Sequence, residues 1–182
     1  MAEFDYFADQ LLGEAKRFLE KASGDGTDAE SEAAYLHAAL MLSFCGLEAR
    51  MNSLSDDAAS FRSDLSAHDK GILLEKEVRL EHGAFIVSPT TKIYRMEDRI
   101  AFLHLRLSGK ALDRDSVWWS ELSSAIKLRN DLTHPKAIPE INVAKVERAI
   151  KSIIDTIDAL SRAIYQKKYP AASDGLVSRM SF

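Results

Sequence analysis

Apolar residues recur every three or four positions along most of this chain, the spacing of helices that bury one face. Phe4, Phe7, Leu11, Ala15 and Phe18 form a first stripe, closed by the turn SGDG at 23–26. A longer helix begins near Asp28 and carries Leu36, Leu40, Phe44, Leu47, Met51 and Leu54, with a break or a new cap expected over 53–57. The stretch 68–81 reads as a further helix ending at Gly83. Residues 84–94, AFIVSPTTKIY, differ in kind: two β-rich runs flank Ser-Pro-Thr-Thr, which predicts a small hairpin or an ordered loop. Helices follow from 96 to 107 and from about Asp115 or Ser116 through Leu128. The last helix is the clearest, with Val143, Val146, Ile150, Ile153, Ile157, Leu160 and Ile164 on one face. That stripe is either bundle core or the seam of a dimer. The expected fold is all-α, one helical bundle over 1–168 with a hairpin-like insert near 84–94. Residues 169–182 are expected to form a frayed tail or an arm on another subunit.

Composition narrows the class. The 182 residues are 46% hydrophobic and 29% charged, the profile of a folded globular domain. One cysteine, Cys45, excludes an intrachain disulfide and fits a reducing compartment. The opening MAEFDYFADQ lacks a basic region followed by an apolar one, and the most apolar run, 33–49, is interrupted by His37 and Ser43. A cytoplasmic protein without a membrane span is therefore expected. The net charge of −4 argues against a globally basic nucleic-acid binder, although 92–136 holds nine basic side chains against six acidic.

One stretch offers chemistry. In IKLRNDLTHPK, 126–136, His134 precedes Pro135, which pushes it out of the helical region and ends the helix there. On a continuing helix Arg129 and His134 would point about 140° apart, so ending it lets His134 turn back toward the guanidinium. Asn130 and His134, four apart, share a face. An arginine can hold a phosphate through two parallel hydrogen bonds, and a histidine can move a proton near neutrality. Together these suffice to cut RNA without a metal, the ribose 2′-hydroxyl attacking the neighbouring phosphate. The bare spacing is loose, since Arg62 to His68 and Arg99 to His104 repeat it. Only Arg129 combines a polar neighbour, a helix stop at the histidine and a long helix behind. For His104 the reading is a packed histidine in an apolar helix.

RNDLTH, placed shortly before the final helix of an all-helical chain, resembles the motif of the HEPN superfamily (higher eukaryotes and prokaryotes nucleotide-binding). The likeness spans residues 30–165 and includes the earlier helix AALMLSFCGLEARMN. It implies Arg129 and His134 as catalytic residues, Asn130 as a supporting one, and a homodimer joining two motifs in one cleft. RNA is the implied substrate, with no cofactor and no metal, and a neutralising antitoxin or associated protein as a further partner. The tyrosine that often follows the histidine in the branch paired with nucleotidyltransferase antitoxins is absent from HPKAIP, which argues against that arrangement. The alternative is a non-catalytic HEPN-like module that binds a nucleotide, RNA or a protein.

Other residues enter as support. His37, Met41, Cys45, Glu48 and Asn52 lie near one stripe of the second helix, from which Glu48 or Asn52 would help position His134; the plainer expectation is an exposed Glu48 and Arg50 with a packed His37. Cys45 reads as core filling. No histidine or cysteine spacing of a metal site appears. Trp118 and Trp119 are adjacent, so they cannot both face one core.

Overall fold

The computed structural model describes residues 2–182, with side chains from residue 5 onward. It is mainly helical, with one small antiparallel sheet. Helix α1 spans Ala2–Ala22, α2 Ala29–Phe61, α3 Ala67–Leu73, α4 Met96–Ser108, α5 Val117–Thr133 and α6 Val143–Tyr165. Strands β1 (Lys76–Glu81) and β2 (Ala84–Thr91) form a hairpin between α3 and α4.

Helix α6 buries Val146, Ile150, Ile153, Ile157 and Leu160 against α5, α2, α4 and α1, so its apolar stripe is bundle core within one chain. Helix α2 buries all six residues of its predicted stripe and packs along α1. Its start is capped as the sequence suggests: the Asp28 carboxylate accepts from the backbone N–H of Glu30 and Ser31. In α1 the buried face is Ala8, Leu11, Leu12, Ala15 and Leu19, turned from the expected stripe. Phe7 is exposed, and the side chain of Phe4 lies outside the described residues.

Three expectations are corrected. Helix α2 runs unbroken through 53–57, because Ser53 and Ser55 are small enough to be buried there and the Ser53 hydroxyl donates to Asp5. The helix expected over 68–81 stops at Leu73. Glu75 adopts φ 51, a left-handed conformation that turns the chain, and 76–81 becomes a strand. Gly71 permits this fold-back, since a Cβ there would meet Val78 Cγ2 at 2.5 Å. The hairpin therefore pairs 76–81 with 84–91 around His82 and Gly83, both at positive φ, as a two-residue turn of the twist-matching kind requires. The Ser-Pro of 84–94 lies inside β2 and is not the turn.

The C-terminal segment packs on its own chain rather than fraying. Tyr169 is fully buried, its hydroxyl donates to Asp9, and its N–H donates to Asp158 at 2.7 Å. Ser178 then bonds Glu20 and the carbonyl of Gly13, and Phe182 sits edge-on to Phe18, so the tail clasps α1 of its own chain.

Candidate functional site

Helix α5 ends as Pro135 dictates. His134 is its C-cap at φ −132 and ψ 60, and its N–H donates to the carbonyl of Asn130 at 2.8 Å. The Thr133 hydroxyl donates to the carbonyl of Arg129 at 3.0 Å, so two carbonyls of the last turn gain partners from neighbouring residues. These bonds use backbone and Thr133 only, and the imidazole of His134 stays exposed.

Arg129 points the other way, toward α2. Its guanidinium lies 5.2 Å from the centroid of the Phe44 ring. Its Nε is buried without a hydrogen-bond partner, and no carboxylate among the described residues pairs with it. Arg129 and Asn130 line a cleft of about 440 Å³ together with Glu48, Asn52, Glu75, Tyr94 and Arg99. Of the five residues predicted from sequence, the structure thus gathers Arg129, Asn130, Glu48 and Asn52. His134 does not line this cleft, and no hydrogen bond among the described residues joins its imidazole to Glu48 or Asn52.

Asn52 has a different partner. Its Oδ1 accepts from Arg99 Nη2 at 2.6 Å, while Arg99 Nη1 reaches Glu75 Oε2 at 3.0 Å. Arg99 is 5% exposed, and burial draws its pKa down from the usual arginine value against the pull of Glu75. In the sequence Arg99 stands out only through its incidental spacing to His104. The available signal was an arginine on the apolar face of α4, which burial obliges to find acceptors. Nothing in the sequence identified Glu75 as one. His104 is only half-buried, with Nδ1 2.9 Å from the carbonyl of Lys110, so the packed-core reading fails for it.

The outer face of α2 is also corrected. Cys45 is exposed rather than core filling. Its thiol is pushed up by partial burial and then by Glu48, with Arg129 acting in the opposite sense. His37 is exposed, not packed, and Arg50, expected to be exposed, is half-buried and paired with Asp5. Trp119 is buried and Trp118 half-buried, their rings edge-on at 5.8 Å. Among the described residues, no helix is long and apolar enough to cross a membrane and no acidic, histidine or cysteine cluster is arranged to hold a metal ion.

Fold and site define a mainly helical domain carrying a free arginine in a polar cleft and an exposed histidine at the end of the same helix. Comparison with known family models, characterised proteins and solved structures finds no match.

Proposed function

We propose that this chain is a HEPN-like endoribonuclease that cleaves RNA phosphodiesters without a metal and works as a homodimer. The observation that carries the reading is the unpaired guanidinium of Arg129, five residues before an exposed histidine cap. A cation left without a carboxylate in a polar cleft suits a phosphate, which accepts two of its hydrogen bonds at once.

In the reaction, the ribose 2′-oxygen attacks the adjacent phosphorus as its proton passes to His134. The P–O5′ bond breaks and the leaving oxygen takes a proton from an imidazolium. The products are a 2′,3′-cyclic phosphate and a 5′-hydroxyl end. Arg129 stabilises the charge on the non-bridging oxygens, and Asn130 orients substrate or imidazole. A second copy supplies the histidine that one chain keeps outside its own Arg129 cleft. Ile138, 97% exposed in the loop after His134, and Ile93, 81% exposed at the cleft, are apolar surface that such a copy would cover.

The second reading is a non-catalytic module binding nucleotide, RNA or a protein, favoured by the separation of His134 from the cleft. A 2′-O-methyl group at a mapped cleavage site distinguishes the two. The nuclease reading requires that cleavage stop at that one linkage and persist at its neighbours, while the binding module yields no cleavage of either RNA.

A further inference from the structure

We infer that Asn52 and Arg129 together form the subsite for an RNA phosphate, and that Arg99 is the positioning residue that sets it. This rests on the nuclease-like reading of the cleft and assigns Asn52 a task other than orienting His134.

Arg99 carries only donors, so the Asn52 atom that meets it at 2.6 Å must be the carbonyl oxygen. The amide is thereby fixed in one orientation, with both hydrogens of Nδ2 directed away from Arg99. Nδ2 has no hydrogen-bond partner among the described residues, on a side chain that lines the same cleft as Arg129. Arg99 in turn is held by Glu75 at 3.0 Å and by the carbonyl of Leu73 at 3.3 Å. Glu75 also accepts from the N–H of Tyr94, and its left-handed backbone begins the hairpin. The orientation of Asn52 is therefore tied to the base of the hairpin and not to a mobile surface side chain.

The identity of residue 52 supports the same conclusion. To satisfy a buried arginine alone, a carboxylate would serve better, because a charged acceptor makes the stronger hydrogen bond. An amide accepts from Arg99 and still offers two donors. Those donors and the free guanidinium of Arg129 need acceptors without hydrogens, which is what phosphate oxygens provide. The cleft's formal charges balance, with Arg95, Arg99 and Arg129 against Glu48, Glu75 and Glu97. Directed donors, more than net field, then select the anion.

The test uses Asn52→Asp, whose carboxylate still accepts from Arg99 but offers no donor. Calorimetric titrations would use inorganic phosphate and a short 2′-O-methylated single-stranded RNA that cannot be cleaved by 2′-attack. Wild type is expected to bind both, and Asn52→Asp to bind each about tenfold or more weakly with its melting temperature held within a few degrees. Arg99→Lys, which can still donate to Asn52, should recover part of the affinity that Arg99→Met loses. Should Asn52→Asp not fold, this Arg99 pair carries the test, and equal binding by Lys and Met overturns the inference. Undiminished binding by folded Asn52→Asp overturns the subsite and leaves the nuclease reading standing. Binding of neither probe by wild type overturns both.

Discussion

Arg129 rests its guanidinium on the ring of Phe44, 5.2 Å from the centroid, so α5 presents its cation on an aromatic face of α2 and not to a carboxylate. Such a contact holds the plane of the group while leaving its N–H edges for a ligand, and contributes about 0.5–2 kcal/mol. Phe44→Leu keeps the site apolar but removes the platform. Affinity for phosphate should fall several-fold, whereas Arg129→Ala should abolish it and move the melting temperature by only a few degrees. Titration of both variants, with thermal melts alongside, checks this. A large loss of stability in Arg129→Ala would mean that the arginine is structural.

Glu48 faces the same cleft and has no ion-pair partner among the described residues. Its charge opposes an anion bound at Arg129 and contributes to raising the Cys45 thiol above its usual range. Glu48→Gln should therefore bind phosphate more tightly and lower the thiol pKa, so that alkylation of Cys45 near pH 8 speeds up. If Glu48 instead serves as a proton acceptor in the reaction, the same variant would lose turnover while still binding RNA.

Stability should fall in acid through identifiable carboxylates. Burial raises the pKa of Asp69, but the N–H and hydroxyl of Ser66 and the guanidinium of Arg106 outweigh it and leave the group below its ordinary value. A depressed folded-state pKa means stability present above the unfolded value of about 3.9 and lost as pH drops through the folded one. Asp69→Asn should thus melt lower than wild type at pH 7, and the gap should narrow as pH falls below about 3.9 and close only once the pH passes below the depressed folded-state value. A gap that persists unchanged in acid would assign the effect to packing.

Gly46 sets how closely α1 and α2 approach. A Cβ there would lie 2.9 Å from Leu12 Cγ and 3.3 Å from the carbonyl of Ala8. Alanine gains about 1 kcal/mol of helix propensity over glycine, yet overpacking a filled core costs about 1–3 kcal/mol. Leu12 is itself buried and has little room to yield, so the clash wins. Gly46→Ala should lower the melting temperature by several degrees, and an increase would show that α1 can shift freely.

How much of this the sequence revealed depended on whether the signal was local. Helix caps and stops were legible because single residues impose them. Asp28 caps α2, Gly109 in the left-handed conformation ends α4, and Pro135 ends α5 at His134. The stripes of α2 and α6 were legible because they face the core along their length. The hairpin was half-legible: β2 has β-rich composition, but KEVRLE carries so many charged helix formers that only the turn at Glu75 and packing on α3 make it a strand. The α2 face that meets Arg129 was legible as a stripe. The Arg99 link to Asn52 joins residues 47 apart, and no spacing rule connects them. The clasp of the tail on α1 was hidden for the same reason.

The central claim is tested most directly by incubating purified wild-type and His134→Ala protein with end-labelled structured and unstructured RNAs in EDTA. The account predicts cleavage by wild type alone, leaving 2′,3′-cyclic phosphate ends, with both proteins melting at similar temperatures. Cleavage by both proteins alike would contradict the assignment of His134, and intact RNA in every reaction would contradict the nuclease itself.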